Sequence, residues 1–185
     1  GLLEVGPESA GAKPGPVCYD LGGESPTVSD ADLMLGYLNP DFFCGGDIPL
    51  KAKKAEKAII DKIVKPLKMS IEACVWGIHE IVNENMAAAA KVHVNEVGAD
   101  IRKMVMVAYG GAGPVHAFGL AEKLKIKTVL IPMSAGVLSA VGFFTFPPTF
   151  DVVHTYKVTL NDANLTKMEH AFKTMEKEAK SSLPF

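Results

Sequence analysis

Cysteine is scarce in this chain: Cys18, Cys44 and Cys74 are odd in number, widely spaced and without any CxxC or Cys/His metal spacing. That argues against a disulfide framework or a zinc finger and fits a reducing cytoplasm. Long hydrophobic runs are lacking as well. The most apolar stretch, Ala135 to Phe146, is short and interrupted by glycine, and no basic segment followed by an apolar one opens the chain, so neither a membrane span nor a signal peptide is expected. Nor does one sign of charge dominate. Nineteen basic residues against 21 acidic ones leave a net charge of −2 with no long block of either sign, so neither nucleic acid nor an anionic membrane is expected as the main partner. An initiating Met is missing too, and the chain stops inside a helical pattern at Ser181-Ser182-Leu183-Pro184-Phe185, so it reads as a fragment.

Apolar material is present in quantity. Of 185 residues, 48% are hydrophobic and 22% charged, enough to bury one core with an appended segment. Gly6-Pro7, Gly11, Pro14-Gly15-Pro16, Gly22-Gly23 and Pro26 punctuate the first part so densely that an ordered loop is expected there. Ser29 with Asp32 resembles a capping box for a short helix through Leu33, Met34 and Leu35 that stops near Gly36. Lys51 to Ile63 reads as a solvated helix with Ala52, Ala55, Ile59 and Ile63 inward. Ser70 can cap a long helix to about Val97, with Ile71, Val75, Ile78, Val82, Asn85, Ala89 and Val92 on its inner stripe and Gly98 ending it.

Strand and helix then alternate. Met104 to Tyr109 and Thr128 to Ile131 read as strands, Pro114 to Leu124 and Ser134 to Phe144 as helices, which implies an α/β fold of parallel strands with crossover helices. The long helix is expected to pack Ile78, Val82 and Val92 on that sheet. Val152 to Val158 reads as a further strand, and Leu165, Met168, Phe172, Met175 and Ala179 as one stripe of a C-terminal helix. The segments group as residues 1–70 (loop and short helices), 71–150 (the α/β part) and 151–185 (strand and final helix).

Gly110-Gly111-Ala112-Gly113-Pro114 lies between strand and helix, where bare backbone and unpaired helix-start amides can meet a nucleotide phosphate or ribose, or can simply make a tight turn. A dinucleotide fingerprint is disfavoured, because His116 stands where its third glycine belongs and no acidic residue ends the next strand; a P-loop is absent. Asn85 on the inner stripe requires a partner, either a neighbouring loop or a ligand. Glu84 is expected on a solvated face. His116 could donate to a phosphate or sit satisfied in the core. Asp30 could be held by the helix dipole alone or could hold a metal-bound water. His79, His93 and His154 have no partners at ligand spacing and are assigned no metal role.

Five segments in order carry a resemblance. They are Val5-Gly6-Pro7-Glu8-Ser9-Ala10-Gly11-Ala12-Lys13-Pro14-Gly15-Pro16-Val17-Cys18-Tyr19, Pro26-Thr27-Val28-Ser29-Asp30-Ala31-Asp32, Asn83-Glu84-Asn85-Met86, Ala108-Tyr109-Gly110-Gly111-Ala112-Gly113-Pro114-Val115-His116-Ala117, and Gly136-Val137-Leu138-Ser139-Ala140-Val141-Gly142. With these words and separations the chain resembles the hydantoinase A/oxoprolinase family over residues 1 to 155.

The resemblance implies the C-terminal part of an actin-like (ribonuclease H-like) ATPase fold, with ATP and a divalent cation such as magnesium bound in the intact protein. Gly110, Gly111 and Gly113 then inherit the adenosine-side turn, and His116, Asn85 and Asp30 join them as cofactor-binding candidates; no catalytic residue is assigned. Such proteins cleave small cyclic amides such as 5-oxoproline or N-methylhydantoin, and related subunits serve ATP-dependent acetone or acetophenone carboxylases. The implied partners are the remainder of the polypeptide and a hydantoinase B-type subunit or domain. The family's Asp-x-Gly-Gly-Thr phosphate loops do not occur in these residues, and Val97 stands where many relatives carry Arg. The fragment alone is therefore expected to be inactive. Cyclic-amide hydrolysis is the favoured reading, ketone carboxylation the second. A non-catalytic domain docking a partner through Phe143, Phe144, Phe146 and Phe150 is the third.

Overall fold

The fold is anchored where the glycine-rich loop meets the first helix. In the computed structural model, which describes residues 1–183, α1 (Val28–Met34) starts at Thr27, whose extended backbone and hydroxyl cap it. The Thr27 hydroxyl accepts from the Asp30 amide, and the Asp30 carboxylate accepts from the Thr27 amide at 2.8 Å. This is a capping box, set two residues earlier than the Ser29 and Asp32 pair read from the sequence. Asp32 is unavailable for capping because it faces the interior. The Asp30 carboxylate also accepts from the amides of Val17 at 3.2 Å and Cys18 at 2.7 Å, so one fully buried side chain ties the end of the loop to the helix. The loop itself closes by backbone contact: a Cβ on Gly23 would stand 2.1 Å from the Gly15 carbonyl oxygen.

Next, α2 (Ala52–Ile59) runs through a π-turn at Ile60–Val64 into α3 (Lys65–Leu67), stopped by Lys68 in the left-handed region. As expected, Ala55 and Ile59 are fully buried. The long helix α4 (Ile71–Glu96) is capped by Ser70, whose hydroxyl accepts from the Ala73 amide, and ends before Gly98 at φ +67. One apolar cluster joins Ala31, Ile59, Cys74, Val75 and Ile78, so α1, α2 and α4 share a core. A second gathers Cys18, Leu33, Leu50 and Ala55.

Two expectations about α4 are corrected. Its buried face is Cys74, Val75, Ile78, His79, Asn83 and Ala87, while Asn85 and Ala89 are exposed and Val92 is 59% exposed. The stripe goes wrong after Val82 because the alanine run 87–90 gives no hydrophobic phase, and because polar His79 and Asn83 find partners inside. The helix also packs chiefly on α1 and α5 rather than on the sheet. The strands are too short to cover it.

Those strands, β1 (Met106–Val107) and β2 (Val129–Leu130), pair in parallel with Met106 opposite Val129 and Val107 opposite Leu130. The crossover is α5 (Gly113–Leu124), with Pro114 in its first turn, as the sequence pattern requires. A 3-10 turn at Ala135–Val137 follows. The chain divides into two units, Gly1–Leu138 and Ser139–Phe185. The boundary falls after the first residue of α6 (Leu138–Thr145), which leads to residues 147–159; these adopt no regular structure, so the strand expected at 152–158 does not form. Among the described residues no strand lies beside it to complete a ladder. The chain continues into α7 (Leu165–Ser182), capped by Asn164; of its expected stripe Leu165 and Phe172 are exposed, while Met168, Met175 and Ala179 are partly buried.

Replacing Asp30 by Ala should strand the buried amides of Val17 and Cys18 and lower stability by about 3 kcal/mol, read from denaturant midpoints. Burial, and then the Asp30 charge beside it, push the Cys18 thiol up to about 12. A maleimide at neutral pH should therefore modify exposed Cys44 in the native protein and leave Cys18 untouched until unfolding. Because the folded state holds that proton more tightly, this thiol takes nothing from stability below pH 9.0, the value from which the shift is counted, and lowers it as pH rises further.

Candidate functional site

Three helices converge on a buried polar cluster. Asp32 comes from α1, His79 and Asn83 from one face of α4 at a spacing of four, and His116 from the first turns of α5. His79 Nδ1 lies 2.7 Å from Asp32 Oδ1, His116 Nε2 lies 3.5 Å from Asp32 Oδ2, and His116 Nδ1 lies 3.0 Å from Asn83 Oδ1. The two imidazoles stack at 4.7 Å with 21° between their planes, and Tyr37 and Trp76 flank His79. All four polar side chains are buried, Asn83 completely. The Asn83 amide nitrogen has no hydrogen-bond partner. Room for it comes from Gly119, where a Cβ would stand 2.7 Å away.

The sequence flagged only His116 in this cluster, as a residue that either meets a phosphate or sits in the core. It sits in the core. Asp32, His79 and Asn83 were missed as a group, because no local spacing links α1 to α4 and α5; the one available signal was the four-residue step from His79 to Asn83.

Outside the cluster, Lys123 of α5 reaches Glu80 at 2.7 Å and Glu84 at 2.8 Å on α4. Those bonds lower the Glu80 carboxyl and raise the Lys123 ammonium from their ordinary values. Glu84 is on an exposed face, as expected. The bridge borders a cleft of roughly 340 Å³ whose wall includes Trp76, His79, Asn83, Phe118 and Gly119.

The glycine turn stands apart from that cluster. Gly110 has φ +87, which favours glycine, and its amide donates to the Ala135 carbonyl at 2.8 Å. Gly111 has an ordinary φ, and a Cβ built on it meets nothing within 4 Å. Gly113 opens α5 after Ala112, which offers no side-chain cap; Pro114 has no N–H and the Val115 amide donates to the Ala112 carbonyl at 3.1 Å, so of these three residues Gly113 alone can offer an amide to a ligand. Bare, open backbone at an uncapped helix start fits an approaching nucleotide.

The other two candidates are elsewhere. Asn85, expected in the core, is exposed and faces a cleft of roughly 930 Å³ with Val82, Met86 and the Gly/Pro-rich loop; none of the three glycines lines it. Asp30 is corrected more sharply. A carboxylate has about four lone-pair sites, and Val17 N, Cys18 N, Thr27 N and Thr27 Oγ1 all donate to this one. Three of these donors crowd Oδ2 while Oδ1 accepts from Cys18 N, and the side chain is fully buried, so its bonds go to the loop and the helix start.

With the fold and these sites in place, comparison with known proteins gives a family. The family model for hydantoinase/oxoprolinase matches residues 1–146, and the chain belongs to that family. It is 51% identical over 155 residues to the acetophenone carboxylase gamma subunit of Aromatoleum aromaticum, covering 84% of this chain and 20% of that protein. The ATP-dependent caprolactamase structure from Pseudomonas jessenii matches with a TM-score of 0.72 at 38% identity, covering 98% of this chain and 27% of that one. A nucleotide-free acetone carboxylase structure matches with a TM-score of 0.73 at 30% identity over 94% of this chain and 26% of that one. The chain thus spans about a quarter or less of the proteins it resembles. No helix among the described residues is long and apolar enough to cross a membrane.

The space beside Asn83 sets a test of the cluster's packing. Gly119→Ala should push the Asn83 amide off His116 and cost about 1–3 kcal/mol in thermal or denaturant unfolding, whereas Gly111→Ala, in open space, should leave the midpoint unchanged.

Proposed function

We propose that this chain supplies one wall of the nucleotide cleft of an ATP-dependent enzyme that activates a carbonyl oxygen, within a domain of actin-like fold. The observation that carries the reading is the turn at Gly110, Gly111 and Gly113, open at Gly111 and leading into an uncapped helix. ATP when bound would supply the phosphoryl group that makes an amide oxygen, or an oxygen of bicarbonate, a good leaving group. What this chain contributes is position. Gly111 admits the nucleotide against the backbone, the Gly113 amide at the start of α5 faces its negative charge, and the Gly110 bond to Ala135 holds the turn rigid. The accompanying cation, magnesium by expectation, has one exposed side-chain oxygen to meet among the residues assigned to the nucleotide here, that of Asn85, since Asp30 and His116 are buried and bonded within the protein and the glycines carry no side chain.

Two substrate classes suit this chemistry. Carboxylation of a ketone is favoured by the 51% identity to an acetophenone carboxylase subunit. Hydrolysis of a cyclic amide is supported by the likeness to caprolactamase along 98% of the chain. In both readings the remainder of the polypeptide and a hydantoinase B-type partner complete the active site in the cytoplasm, and the fragment by itself turns nothing over.

The full-length protein with its partner subunit separates the two when ADP release is followed with acetophenone or acetone plus bicarbonate, and then with caprolactam, 5-oxoproline or N-methylhydantoin. Ketone- and bicarbonate-dependent ADP release is the expected result; release with a lactam alone would reverse the order of the readings. The nucleotide wall is tested by Gly111→Val in the same protein. Because Gly111 needs no positive φ and has open space, the fold should tolerate Val, with the melting temperature held and ATP affinity in titration calorimetry falling ~10-fold or more. Unchanged affinity would remove the turn from the site.

A further inference from the structure

We propose that Asp32, His79 and His116 form a binding site for a divalent first-row transition ion of the zinc type, separate from the nucleotide's cation. One ligand atom from each residue, a carboxylate oxygen and two imidazole nitrogens, lies within 4.8 Å of the others. The donors come from three different helices, so the ion would pin α1, α4 and α5 together.

The donor bookkeeping around His116 motivates a cation. Its Nδ1 faces the Asn83 carbonyl oxygen at 3.0 Å, an acceptor, so Nδ1 carries the proton. In a neutral ring Nε2 is then a bare lone pair, and it points at a carboxylate oxygen 3.5 Å away. Two acceptors facing each other in a buried site repel unless positive charge lies between them. Ligands on a tetrahedral ion at about 2.0–2.1 Å are about 3.3–3.4 Å apart, which the His116 and Asp32 atoms already satisfy. The His79 to Asp32 contact, at 2.7 Å, is a hydrogen bond that must open by a few tenths of an ångström on loading.

The surroundings complete the description. Asn83 takes the place of an outer partner that fixes which His116 nitrogen binds, as metal-ligating histidines require. Imidazole donors select zinc-like ions over magnesium or calcium, which prefer all-oxygen sites. The cleft bordered by Trp76, His79, Asn83 and Gly119 reaches His79, one of the three ligands, while Asp32 and His116 lie buried behind it.

Metal-stripped full-length protein is titrated with zinc, and with cobalt as a spectroscopic reporter, in parallel with Asp32→Asn, His79→Gln and Asn83→Ala. The wild type should retain one more zinc equivalent by elemental analysis than Asp32→Asn or His79→Gln. It should show cobalt d–d absorption of a nitrogen/oxygen site that those variants lose, and its melting temperature should rise with zinc while theirs does not. Asn83→Ala should bind about 10- to 100-fold more weakly. Equal metal content in all proteins, with no cobalt absorption and no zinc-dependent melting shift in the wild type, would overturn the site. A ¹⁵N spectrum with His116 Nδ1 unprotonated would do the same, since Asn83 would then donate its amide to a metal-free hydrogen-bonded cluster. The wild-type readouts decide the matter even if a variant fails to fold.

Discussion

The Asp32 carboxylate, buried between two imidazoles, fixes the helix arrangement on which the rest of the larger unit depends. A polar group removed from water must meet partners at defined distances and angles, whereas apolar side chains tolerate sliding. His79 meets the Asp32 carboxylate from α4 at 2.7 Å, while Asn83 orients the His116 ring of α5 so that its Nε2 stands 3.5 Å from the other carboxylate oxygen, the place proposed for a cation. The three helices are therefore set in one register. The apolar cluster of Ala31, Ile59, Cys74, Val75 and Ile78 provides burial around it, but apolar contacts are non-directional and do not by themselves choose a register.

A second carboxylate two residues earlier does a different task. Asp30 and Asp32 stand on the same short helix, yet one is turned to the loop and the other to the core. Asp30 accepts from three backbone amides and the Thr27 hydroxyl, fastening the glycine-rich loop. Asp32 has imidazole partners that could exchange a hydrogen bond for a metal bond. Acidic residues two apart on a helix point about 200° from each other, and that geometry divides their roles.

The position of the glycine turn relative to this framework explains how the family could use it. His116 sits one turn into α5, with Gly111 just before the helix, so a cluster that locks α5 also holds the turn still. Rigidity there matters because a nucleotide wall acts by position. The chain spans about a quarter or less of the length of its relatives, so the wall proposed here is one part of a larger protein.

Much of this was legible in the sequence. Ser70 and Gly98 marked the ends of α4, the β-rich runs at Met106 and Val129 marked a parallel pair with a crossover helix, and the glycine turn between them was plain. These signals are local: caps, periodicities and turn residues act within a few positions of themselves. The errors have a shared cause. Ser29 in place of Thr27 as the cap, Asn85 in place of Asn83 as the buried amide, and a strand at 152–158 all turned on what lies opposite in space. The sequence by itself determined the helices, the parallel strand pair and the family. Only the tertiary structure decided that Asp30 fastens the loop, that Asn85 faces outward, and that Asp32, His79 and His116 meet, because partners for buried polar atoms are chosen by contacts between segments far apart in the chain.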